Sequence, residues 1–233
     1  MLTPFGKILY KISCKLLLAS AKLFWRVKYE GLENVPRTGG LILASNHVSH
    51  LDPPIVGIGL ERPVVFIAKQ ELFKVPLIGW WLRQLGQISV DRGGGGKQAL
   101  RIAQKCLENG EVIIIFPEGT RSGTGRVAAG RSGVAVLAIK ANVPVVPVGI
   151  VGTYNAFRKG TKIPRLGKVI VRYGKPISFN GVMNPSEILS RTKLNEITVS
   201  IMNEIQNLLP EDMRTKDADV SCSQIADKSG CVN

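Results

Sequence analysis

From Lys28 to Leu209 short apolar runs alternate with helical segments, and this alternation restricts the chain to a layered α/β fold more tightly than any other feature. Lys28–Glu30, Leu41–Ser45, Val64–Ala68, Gln87–Val90, Val112–Phe116, Val145–Ile150 and Val169–Tyr173 read as strands. Pro54–Leu60, Pro76–Leu85, Lys97–Asn109, Val134–Ala141 and Ser186–Leu209 read as helices, with Gly110 just past the third and Asn184-Pro185 opening the last. Most of these strands are separated by helices, so the expected sheet is largely parallel but mixed, flanked by helices. A chain of 233 residues has room for one substantial core. Residues 28–210 are therefore expected to form one domain, preceded by a helical segment, 1–27, and followed by a polar, mobile tail, 211–233.

Charge narrows the partners. The sequence carries 31 Lys and Arg against 17 Asp and Glu, a net +14, and the excess lies in residues 1–175, with 26 bases and 9 acids. Such an excess seeks an anion: nucleic acid, an acidic membrane surface or a phosphorylated substrate. Nucleic acid is disfavoured, because no nucleic-acid motif occurs and the bases are not interleaved with aromatic side chains. In Pro4–Val27 the lysines at 7, 11, 15 and 22 fall within an arc of about 80° on a helix. Ile8, Leu9, Ile12, Leu16, Leu17, Leu23, Phe24 and Trp25 fill much of the rest. Such a helix either packs on the core or lies in a membrane interface, and the lysine-only polar face favours an interfacial helix on anionic phospholipid. The longest uncharged stretch, Ala141–Phe157, carries Pro144 and Pro147 and reads as a strand with turns, not a span. Cys14, Cys106, Cys222 and Cys231 are too scattered for a zinc ribbon or a disulfide scaffold, which fits a reducing compartment. No cleavable signal peptide is expected.

Three polar clusters each follow a predicted strand: Asn46 to Asp52, Asp91-Arg92 with Gly93–Gly96, and Pro117 to Ser122. In open α/β sheets ligands bind at the carboxyl ends of the strands, so the clusters are expected to form one site. His47 and Asp52 stand about 140° apart on a continuous helix and can meet only if His47 lies in the loop and Asp52 near the start of the next helix. The carboxylate then fixes the ring tautomer and leaves the other nitrogen to remove a proton. The pair also has a purely structural reading, a capped helix. Ser49 is too close along the chain to serve as a separately mounted nucleophile. A zinc site from His47, His50 and Asp52 lacks a nearby fourth ligand, so no metal is expected. Arg92, the glycine run and Lys97 can bring backbone and positive charge to an anion, but the glycine spacing does not fit a P-loop. Arg121 can grip a phosphate bidentately, Glu118 can orient that arginine or bond a substrate hydroxyl, and Lys69 ends the strand at the same rim.

These residues resemble the lysophosphatidic acid acyltransferases of the glycerolipid acyltransferase superfamily. Asn46-His47 to Asp52 matches the NHxxxxD block, Gly86–Arg92 the second, Phe116–Ser122 the third and Val143–Gly149 the fourth; Ala68–Leu72 resembles a further family segment. The resemblance covers about Gly31 to Gly174, and the Gly93–Gly96 run departs from the family pattern. It implies that His47 is the general base and Asp52 its orienting partner. Together they activate the free hydroxyl of lysophosphatidic acid against the thioester of acyl-CoA or acyl-acyl-carrier-protein, giving phosphatidic acid without a covalent acyl-enzyme. It also implies substrate binding by Arg92, Glu118, Gly119, Thr120 and Arg121, to which position adds Lys69 and Lys97. No cofactor or metal is implied beyond the acyl donor as co-substrate, and the location expected is the cytoplasmic face of the cell membrane, as a peripheral or monotopic protein. Glycerol-3-phosphate, another lysophospholipid and an ornithine lipid are the alternative acceptors. Trp80 and Trp81 either bound an acyl tunnel or sit in the core.

Overall fold

The computed structural model describes residues 3–90, 96–158, 160, 161, 163–179 and 190–215. Helix α1 (Pro4–Trp25) leads into β1 (Lys28–Glu30) and β2 (Leu41–Ser45), then α2 (Asp52–Ile58), β3 (Val64–Lys69), α3 (Gln70–Lys74), α4 (Pro76–Gln84) and β4 (Ile88–Val90). After them come α5 (Gly96–Glu108), β5 (Val112–Ile115), α6 (Gly133–Lys140), β6 (Val145–Val151), α7 (Thr153–Phe157), β7 (Ile170–Tyr173) and α8 (Arg191–Asn207). The described strands form one sheet in the order β1-β7-β6-β2-β5-β3-β4. Every pair is parallel except β6 with β7, so the expected mixed sheet is found, with β1 and β7 running against the rest.

Alternation along the strands builds a core on each face. Ile42, Ile113 and Val145 pack with Ala103, Leu137 and Ile201 under α5, α6 and α8. Leu41, Leu43, Ile114 and Val146 pack with Ala21, Ile55 and Val56 under α1 and α2. The parallel strands are buried on both sides, which is why they read as continuous Val/Ile/Leu runs.

Several boundaries differ from expectation for local reasons. α2 opens at Asp52 rather than Pro54, since Pro53 and Pro54 suit the first turn, where no N–H is needed. α8 opens at Arg191, where Ser190 is extended and its hydroxyl accepts from the Lys193 N–H; the expected start of this helix, 186–189, lies outside the described residues. The five-residue helices α3 and α7 are too short to leave a periodic signal. Glu211–Thr215, at the start of the expected tail, is held to the body: the Val127 N–H donates to the Met213 carbonyl and the Thr215 hydroxyl to the Val127 carbonyl.

In α1 the lysine stripe is present, but the apolar remainder divides in two. Small residues, Gly6, Ser13 and Ala21, face the protein. Ile8, Ile12, Leu16 and Leu23 are exposed. The helix is tied down by Tyr10, whose hydroxyl accepts from the Val64 N–H, and by Trp81, whose indole N–H donates to the Ser13 hydroxyl. Trp81 thus packs α4 on α1, while Trp80 is exposed. No described helix is long and apolar enough to cross a membrane.

Candidate active site

The loop after β2 is fixed before any chemistry is considered. Asn46 is fully buried, and its amide reproduces strand pairing with β6: Nδ2 donates to the Ile150 carbonyl at 3.0 Å and Oδ1 accepts from the Ile150 N–H at 2.7 Å. The next residue, His47, therefore leaves the sheet at a defined height.

Asp52 stands first in α2 and is completely buried. Its Oδ2 accepts three hydrogen bonds, from the Val48 N–H at 2.7 Å, the Ser49 N–H at 2.7 Å and His47 Nδ1 at 2.9 Å. A carboxylate only accepts, so Nδ1 carries a ring proton, and in the neutral ring the lone pair is on Nε2. The two backbone donors hold the oxygen whether or not the ring is present. The His–Asp meeting expected from the loop-then-helix placement is thus observed. Whereas Asp52 is completely buried, the His47 side chain is 17% exposed. Its ring stacks on Phe116, with centroids 4.0 Å apart and planes at 22°.

The loop after β5 grips the same residue. Glu118 is 4% exposed, and its Oε1 accepts from the His47 N–H at 2.8 Å while Oε2 accepts from the Ala128 N–H at 3.0 Å. The Ser122 N–H donates to the His47 carbonyl at 2.8 Å. Both backbone polar groups of His47 are thus held by the third cluster. Burial pushes the Glu118 carboxyl up to about 7; the two backbone N–H groups oppose that rise and the nearby Asp52 charge adds to it. Sequence reasoning gave Glu118 an outward role, toward Arg121 or substrate; both its oxygens are turned inward to backbone.

Gly119 has φ +70°, and a Cβ there would stand 2.9 Å from Arg131 Nε, so the turn needs glycine and brings the Arg131 guanidinium against it. Thr120 is exposed on this turn and Arg121 is half-buried. Ser49, set aside as a nucleophile, donates its hydroxyl to the Phe157 carbonyl at 2.7 Å and serves the backbone instead. Lys69 ends β3 in register with Val90, and Lys97 lies in the first turn of α5, so both backbones reach the expected edge. Arg92 lies outside the described residues. Among the described residues no group of three His, Cys, Asp or Glu side chains converges to hold a metal ion, so His47, His50 and Asp52 do not form one. Sequence reasoning missed Phe116 and Asn46 as supports. Their signal was position, flanking a polar cluster at a strand end.

A protein-family model described as Acyltransferase matches residues 26–151, which includes both halves of this site. The chain belongs to the acyltransferase family. Among curated relatives of this acyltransferase, "1-acyl-sn-glycerol-3-phosphate acyltransferase LPAT1, chloroplastic" from Arabidopsis thaliana is 34% identical over 158 residues, 66% of this chain and 44% of that protein. "1-acyl-sn-glycerol-3-phosphate acyltransferase" from Bacillus subtilis is 27% identical over 205 residues, 86% of this chain and 100% of that protein. The chain spans about half the length of the plant relatives it matches. The crystal structure of the 1-acyl-sn-glycerophosphate (LPA) acyltransferase PlsC from Thermotoga maritima is similar with a TM-score of 0.65 at 31% identity, covering 85% of this chain and 80% of that one. The acyltransferase fold and the sequence blocks are therefore found together in one chain.

Proposed function

We propose that this acyltransferase moves a fatty acyl group from acyl-CoA or acyl-acyl-carrier-protein to the sn-2 hydroxyl of lysophosphatidic acid, forming phosphatidic acid in phospholipid biosynthesis. The observation that carries the reading is the His47 Nδ1 to Asp52 Oδ2 bond at 2.9 Å, which leaves Nε2 as the proton acceptor. Nε2 takes the hydroxyl proton as the oxygen attacks the thioester carbonyl. The tetrahedral intermediate collapses with cleavage of the C–S bond, and the thiolate leaves with the proton returned by the imidazolium. Asp52 stabilises the transient positive charge, and no enzyme nucleophile is used. The acceptor's phosphate is held by Arg121 and Thr120 with Arg92, Lys69 and Lys97 contributing charge, while Glu118 and Gly119 shape the turn.

The names of the relatives support lysophosphatidic acid as acceptor. The exposed apolar stripe of α1 beside its lysines supports peripheral binding to an anionic membrane surface. The test is an assay crossing acyl-CoA and acyl-acyl-carrier-protein with lysophosphatidic acid, glycerol-3-phosphate, larger lysophospholipids and an ornithine lipid. Preference for lysophosphatidic acid, abolished by His47→Ala, is expected; an uncharged acceptor preferred over it sinks the phosphate assignment.

A further inference from the structure

The basic residues between α7 and β7 have no part in the chemistry above. The segment 163–168 carries Ile163 and Leu166, 79% and 77% exposed, in a connection that has no regular structure. It is nevertheless anchored. The Arg165 N–H donates to the Ala156 carbonyl at 2.7 Å, the Trp25 indole N–H donates to the Arg165 carbonyl at 2.9 Å, and the Gly167 N–H donates to the Phe24 carbonyl at 3.3 Å. The segment is thereby fastened to the C-terminal end of α1. Between them lies a groove of about 420 Å³ lined by Leu23, Phe24, Arg26, Leu166, Gly167 and Lys168.

Two observations fix what this groove suits. Its walls come from the two acid-free stretches that dominate the chain's charge: residues 1–29 have six Lys or Arg and no Asp or Glu, and residues 119–186 have eleven and none. Large aliphatic and aromatic side chains are exposed directly beside cations, a pairing that water does not favour but the boundary between headgroups and acyl chains does. The groove also lies at the catalytic edge: β7 begins just past Lys168, with Ile170 opposite Val151 at the end of β6, next to the Ile150 that Asn46 bonds. Ser49, two residues from His47, forms a β-bridge with Arg158 and donates to the Phe157 carbonyl.

We infer that the groove between the end of α1 and segment 163–168 is an anionic-phospholipid site, a second membrane contact that seats the His47 edge of the protein on the bilayer. Arg26 and Lys168 meet the headgroup phosphate, and Leu23, Phe24 and Leu166 enter the acyl region. The inference rests on the interfacial reading of α1, and deepens it by placing a separate contact next to the site.

The full-length protein is tested by sedimentation with vesicles of phosphatidylcholine alone and with one third phosphatidylglycerol, comparing the parent with Leu166→Asp, with Lys168→Glu, and with the α1 variant Ile12→Asp/Leu16→Asp. These side chains are exposed, and thermal melts establish that each variant is folded. Leu166→Asp and Lys168→Glu are each expected to weaken binding to the anionic vesicles by about tenfold. Turnover of detergent-dispersed lysophosphatidic acid is expected to stay within about twofold of the parent, and 10 mM inorganic phosphate is not expected to displace the vesicles. Unchanged vesicle binding in both segment variants, with loss in the α1 variant, overturns this inference and leaves the α1 reading standing. Unchanged binding in all three overturns both. Displacement by inorganic phosphate overturns the lipid as ligand in favour of a free phosphate.

Discussion

The main-chain N–H of His47 donates to the side chain of Glu118, 71 positions later in the chain, so the proposed base is suspended from a carboxyl group of another strand's loop. Glu118 also accepts from the Ala128 N–H, which makes it a strut between two loops. Replacing it by Gln leaves one acceptor oxygen and turns an NH₂ toward a backbone donor. Glu118→Gln is expected to lower kcat about tenfold or more with little change in the KM for lysophosphatidic acid, because a donor facing a donor displaces a loop. A rise in KM alone shows instead that Glu118 binds the acceptor.

The same group gives a pH signature. Its carboxyl lies at about 7 in the folded protein, above the ordinary 4.5, so the folded state binds more protons than the unfolded state between these values. Stability contributed by Glu118 is therefore greatest below about pH 4.5 and falls as pH rises through 7. Melting curves of the parent against Glu118→Gln from pH 4.5 to 8 are expected to show this loss only in the parent; parallel curves refute it.

Three N–H groups converge on Asp52 Oδ2, so an amide oxygen can take its place without dismantling the loop. Asp52→Asn is expected to stay folded while kcat falls about 10²-fold or more, because the charge opposite the imidazolium is gone. Asp52→Ala strands the buried Val48 and Ser49 donors and is expected to lower stability by about 1–3 kcal/mol per donor. Chemical denaturation and single-turnover acyl transfer measure the two effects separately.

Gly119→Ala places a side chain in the left-handed region and against Arg131. The expected cost is about 1–2 kcal/mol in folding stability, together with a raised KM for the phosphorylated acceptor as the turn carrying Thr120 and Arg121 shifts. An unchanged KM removes that turn from phosphate binding.

Much of this arrangement was legible in the chain because two periodicities are unambiguous here. Buried parallel strands such as Val112–Ile115 announce themselves as apolar runs, and polar clusters after them mark the sheet edge on which a site forms. The His47–Asp52 contact was legible because helical geometry leaves only one way for residues at that spacing to meet. The inward role of Glu118 was not, since a carboxylate's partners are backbone atoms of remote loops, and backbone donors carry no sequence signature. The two faces of α1 were hidden for a similar reason. Hydrophobicity alone does not tell which apolar side is covered, and it is the small one, Gly6, Ser13 and Ala21, that lets the helix approach closely.

That close seat of α1 has a consequence for handling the protein. Cutting the helix away to obtain a soluble fragment uncovers the apolar residues that cluster with Ala21, among them Ile55 and Val56 of α2, and breaks the Tyr10 and Ser13 ties to β3 and α4. The truncated chain then trades one sticky surface for a larger one and is expected to precipitate. Polar substitutions at Ile8, Ile12, Leu16 and Leu23, which point outward, reduce the need for detergent while the helix goes on covering that cluster.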